Sequence, residues 1–169
     1  MLVRSVAAIL DRDLQTLSRE VGAYPESRQL WQTVPGMTNT GGTLVLHLAG
    51  NLRHYIGANL GGTGYVRGRA AEFSRRDVSR RDLLEEIEAA RADVARTLAA
   101  LDDRSLPADY PEIIADSRLD TQEYLIHLLT HFAYHLGQLD IHRRIVTGDG
   151  SSVGAVKPGE LGSVRPARG

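Results

Sequence analysis

Apolar residues recur at helical spacing in four stretches of the chain. Nowhere do they alternate convincingly at the period of two that a half-buried strand requires. In residues 3–21, Val6, Ile9, Leu10, Leu14, Leu17 and Val21 form one face, and Gly22 and Pro25 end the helix. Residues 43–58 set Leu44, Leu48, Leu52 and Tyr55 on one stripe, widened by Val45, Ala49 and Ile56, with His47, Asn51 and His54 on a polar stripe. Gly50 and Gly57 weaken this segment as a helix and permit close approach of a neighbour. Residues 80–102 carry Leu83, Ile87, Ala90, Val94, Leu98 and Leu101 at the spacing of a bundle seam, opened by Ser79 and Asp82 as a capping box. Residues 121–147 are apolar nearly all round, which predicts a buried helix. Asp120 caps it, and Glu123 is placed to reach back. Four seamed helices joined by loops predict an all-α four-helix bundle over residues 1–147. In loop 23–42, Trp31 is expected to plug one end of the core. Loop 59–78 is rich in glycine and arginine, and the glycine-rich residues 148–169 read as a mobile tail.

Composition narrows the function. The 169 residues are 42% hydrophobic and 24% charged, ordinary for one soluble domain. The net charge of −1 gives no basic excess to support nucleic-acid binding. There is no cysteine, which excludes disulfides, thiolate metal ligands and a protein-borne thiol nucleophile. No apolar run approaches a membrane span, and the first residues lack the long apolar region of a signal peptide, so a cytoplasmic location is expected. The run GANLGGTG follows a helix and not a strand, so its glycines do not read as a phosphate cradle.

The candidate chemistry lies in the last helix. His127, His131, His135, Gln138 and His142 fall within about 80° on a wheel that turns about 100° per residue. Burying several imidazoles costs free energy unless each finds a partner, and a metal ion is one such partner. The i, i+4 pair His131 and His135 could reach one ion from adjacent turns. A catalytic site needs a third protein ligand; His47 is the best placed and His54 its competitor. His127 and His142 read as structural imidazoles. Asn51, Tyr124, Tyr134 and Gln138 could orient ligands or serve structural hydrogen bonding. Arg67 and Arg69 read as solvated surface, or as contacts to an acidic cosubstrate.

The segments His47–Leu52, Arg67–Phe73 (Arg67, Arg69, then Glu72 and Phe73) and Tyr134–Gln138, in that order, resemble the DinB-like superfamily. The nearest likeness is to an uncharacterised bacterial subgroup related to mycothiol- and bacillithiol-dependent transferases. The resemblance covers about residues 3–147. It implies an up-down-down-up four-helix bundle of the DinB/YfiT-like kind, a homodimer, and one divalent metal held by His47, His131 and His135. Imidazole suits zinc, nickel, copper and iron alike; zinc or nickel is the expected ion, with iron as the alternative. His54 departs from the subgroup, where Gln or Trp is expected, and could join or rival the site. The resemblance also implies a low-molecular-weight thiol, mycothiol or bacillithiol, as cosubstrate and a small electrophile as acceptor. A metal-dependent hydrolase and a non-catalytic metal-binding or interaction protein are the alternatives.

Overall fold

The computed structural model describes residues 1–165. Five α-helices account for most of it: α1 (Leu2–Gly22), α2 (Gly41–Leu52), α3 (Arg69–Ser74), α4 (Arg80–Ala100) and α5 (Thr121–Thr147). Among the described residues there is no sheet, only the isolated bridges Asp109 with Asp120 and Ile114 with Ser117. The four long helices lie where the apolar seams predict them. The short α3 shows no seam of its own, because it falls inside a polar, glycine-rich loop.

The helices start where side chains supply an acceptor for the free backbone N–H groups of the first turn. Thr40 accepts from the Thr43 N–H, Ser79 from Asp82 and Asp120 from Glu123. The return bonds of the two expected capping boxes, from Asp82 and Glu123, are not formed among the described residues. Gly148, in the left-handed region at φ 69°, closes α5.

Contacts between named residues fix the topology. Arg80 at the start of α4 donates to the Tyr24 carbonyl just past the end of α1, and Arg91 reaches Asp11, so α1 and α4 are antiparallel. Arg53, on the extension of α2, reaches Glu86 and Asp93, while Trp31, which covers the start of α2, bonds Val78 just before α4; α2 and α4 are parallel. His47 meets His131, and Gly41 meets Leu139 and His142, so α2 and α5 are antiparallel. The result is the up-down-down-up four-helix bundle. Helices α1 and α2 face each other across one diagonal, α4 and α5 across the other.

The core is built from the predicted seams: Leu10, Leu14 and Leu17 on α1, Leu44, Leu48 and Leu52 on α2, Leu83 and Ile87 on α4, and Leu125, Leu128, Phe132 and Leu139 on α5. Two details correct the sequence reading. First, α5 is not buried all round. As a corner helix it packs on α1 and α2 and on the turn around residues 27–32, and Ile126, Tyr134, Ile141 and Ile145 are exposed. Second, α2 does not run to residue 58 as an α-helix; Arg53–Ala58 is a π-helical turn, closed by the Asn59 N–H on the His54 carbonyl at 3.0 Å.

Trp31 lies half-buried in a 3₁₀ turn, its indole N–H on the Val78 carbonyl at 3.1 Å and its ring over Gly42, where a Cβ would sit 2.5 Å from it. From the end of α5 the chain is tied back by Arg143, which donates to the Asp149 and Ser151 carbonyls, and by Glu160 on Arg19. The last residues of the expected tail, 166–169, lie outside the described residues.

Candidate metal centre

Because α2 and α5 run side by side in opposite directions, the middle of one faces the middle of the other. The four-residue spacing of His131 and His135 turns both imidazoles to the same side, toward His47. The ring centroids of His47 lie 5.2 Å from those of both His131 and His135, which are 4.6 Å from each other. One nitrogen from each ring lies within 4.8 Å of the other two. His47 is buried, and His131 and His135 are half-buried on the wall of a cleft of about 390 Å³.

The outer nitrogens are held by acceptors. His47 Nδ1 is 3.1 Å from Glu72 Oε2, and His135 Nδ1 is 2.8 Å from Gln138 Oε1. Burial pushes the Glu72 carboxyl up, but hydrogen bonds from His47 and from Arg67 outweigh it and hold the group below the usual carboxylate range. An ionised carboxylate only accepts, so His47 carries its proton on Nδ1 and turns the Nε2 lone pair into the cluster. Gln138 Oε1 fixes His135 in the same tautomer. His47 Nε2 lies 3.3 Å from His131 Nε2, which then donates to it, and His131 Nδ1 is buried with no partner. Burial, reinforced by the neighbouring imidazoles, lowers His131 to about 4, and burial lowers His135 as well. Three ring nitrogens thus face one point, and an ion bound there would displace the proton that His131 Nε2 shares with His47. That donor set fits a borderline divalent ion such as zinc, nickel or iron, and not calcium or magnesium, which take oxygen.

The remaining sequence-stated candidates divide by place. Asn51 is buried on the cleft wall, as is Tyr124, whose ring meets Tyr55 at 5.3 Å and stacks on His127 at 5.7 Å. His127 is exposed at the cleft, 6.0 Å from the His131 ring. Tyr134 is exposed and packs edge-on against His135 at 5.1 Å. His54 is not brought to the cluster: its Nε2 meets Glu112 Oε2 at 2.8 Å. His54 lies seven residues beyond His47, about 10 Å along the helix axis, and so meets the loop that carries Glu112 instead of the cluster.

Arg67 is neither surface nor a free clamp. Its guanidinium is 7% exposed and grips Glu72 with two bonds, Nε to Oε1 at 2.6 Å and Nη2 to Oε2 at 2.8 Å. Arg69 is exposed at the cleft mouth over the Phe73 ring, with no ion pair among the described residues. His142 lies apart, fully buried, between the Tyr24 hydroxyl and the Gln32 carbonyl, both at 2.8 Å.

Sequence reasoning missed Glu72 as a site residue, although it stands in the Arg67–Phe73 segment. Its signal was an acidic residue five positions from an arginine, legible only once α3 turns both toward α2.

An antiparallel helix pair inside a four-helix bundle, with three histidines facing one another on an open cleft, defines a DinB-like metal-binding bundle. The chain belongs to the mycothiol-S-transferase family, whose family profile matches residues 5–148. No curated protein and no solved structure matches it. No helix among the described residues is long and apolar enough to cross a membrane.

Proposed function

We propose that the chain transfers a low-molecular-weight thiol, mycothiol or bacillithiol, to a small electrophile, and that His47, His131 and His135 hold the divalent metal for this reaction. The observation that carries the proposal is the convergence of three imidazoles on an open cleft in a chain that has no thiol of its own. The chemistry such an ion supplies when bound is acidity, since a coordinating thiol is deprotonated outright. The chain supplies the rest. Tyr55, Phe73, Ile114 and Leu128 give the cleft apolar walls that exclude water from an attacking sulfur and seat the electrophile. Arg69, rather than Arg67, is the cation available to an acidic group of either substrate, because Arg67 is already spent on Glu72. Asn39 and Asn51 offer amide groups to a polyhydroxylated thiol.

Two protomers are proposed to associate through the exposed face of α5, where Ile126, Tyr134, Ile141 and Ile145 lie open. The family resemblance supports the dimer. The test of the activity is conjugation of mycothiol, bacillithiol or a simpler thiol to a model electrophile by metal-loaded protein. The expected result is a rate well above that of the His131→Ala protein. Equal rates across the panel would overturn the transferase and leave hydrolysis or metal binding as the function.

A further inference from the structure

The cluster is asymmetric in the way its ligands are supported. His135 leans on a neutral amide and His131 on nothing, whereas His47 leans on a carboxylate that is itself gripped by an arginine. Granting the metal reading above, we propose that Glu72 is a positioning residue for the metal ligand His47, and that Arg67 and Gly50 exist at their positions to put it there.

Three observations support this. The Glu72 side chain is 6% exposed, and one oxygen faces His47 Nδ1 at 3.1 Å while both are held by the Arg67 fork. A bidentate fork fixes the carboxylate plane as well as its place. The niche is cut in α2 by Gly50, one turn from His47: a Cβ there would lie 2.4 Å from Glu72 Oε1. A glycine at this helix position has a cost, and the close approach of Glu72 accounts for it. The third observation is charge. A carboxylate on the Nδ1–H of a ligating imidazole makes Nε2 a stronger donor and fixes the ring. A lone carboxylate would also add a full negative charge beside the site. Arg67 offsets that charge, so His47 gains its acceptor while the loaded three-imidazole site would keep the full charge of its divalent ion for an anionic sulfur.

Cobalt(II) titration of the full-length metal-free protein, read by its ligand-field absorption and by competition with a chelator, tests the proposal. Wild-type protein should bind one equivalent, and His47→Ala should lose it; binding by neither would refute the metal reading itself. Given wild-type binding, Glu72→Gln should weaken affinity about 10- to 100-fold and alter the absorption bands. Gly50→Ala, which keeps both charged partners, should weaken it in the same direction. The charge-neutral pair Arg67→Met with Glu72→Gln separates positioning from mere neutralisation. It should remain weakened, with circular dichroism of the metal-free protein unchanged. Wild-type affinity in Glu72→Gln, or full recovery in the double variant, would overturn the role of Glu72.

Discussion

Among the histidines of α5, neighbours by periodicity differ in fate because each meets a different partner. His142 shares the wheel sector of His131 and His135, yet it lies at the level of Gly41, near the start of α2, and there it meets Tyr24 and the Gln32 carbonyl. Its Nε2–H donates to that carbonyl and its Nδ1 accepts from the tyrosine. Burial lowers this imidazole below the ordinary value of 6.5. A histidine held neutral when folded gains no proton as pH falls below about 6.5, whereas the unfolded chain does. Stability of the metal-free protein should therefore be greatest above that pH and decline as acid is added, down to the folded-state value. Denaturant melts at about pH 7 and pH 5 should show the decline, and His142→Gln should reduce it, leaving the share that His131 and His135 contribute. Tyr24→Phe strips Nδ1 of its donor at full burial and should cost about 1–3 kcal/mol.

At the scale of elements, the π-helical turn at Arg53–Ala58 joins the second helix to the loop beside the cleft. At its start His54 meets Glu112, which also accepts from Asn59 Nδ2 at 2.6 Å. That carboxylate anchors the turn 110–118, whose Ala115 and Asp116 stand at φ 47° and 61° and whose Ile114 forms part of the cleft wall. The pair is partly exposed, so it contributes about 0–1 kcal/mol to the fold. Its weight should fall on the loop instead. Glu112→Ala is expected to leave the thermal midpoint nearly unchanged while limited proteolysis, followed by mass spectrometry, detects faster cleavage within 110–118. Unchanged cleavage would mean that Tyr110, through its bond to the Tyr55 carbonyl at 2.7 Å, holds the loop alone.

For the whole molecule, a metal at His47, His131 and His135 would tie α2 to α5. A ligand that binds only the folded state stabilises it by about 2.7 kcal/mol at a hundredfold excess over its dissociation constant. Added zinc or nickel should raise the melting midpoint of the wild-type protein and leave the His47→Ala protein where it was. The dimer belongs to this scale as well. Sedimentation at micromolar concentration should report two protomers, and Ile141→Glu should yield a monomer that still takes up metal. A wild-type monomer would leave the open α5 face without its proposed partner.

The sequence by itself determined the elements. Seams such as Leu83–Ile87–Ala90–Val94–Leu98 repeat at a period set by local backbone geometry, and caps such as Asp120 act within one turn, so four helices and a bundle follow from neighbours in the chain. The pair His131 and His135 was legible for the same reason, and His47 from its place among core residues together with the family resemblance. Only the tertiary structure decided what depends on contacts between distant segments. It put Glu72 and Arg67 behind His47, set Glu112 against His54, and opened one face of α5. Apolar periodicity records which positions avoid water. It does not record which partner a buried polar group will meet, because that is fixed by packing among helices rather than by spacing along one.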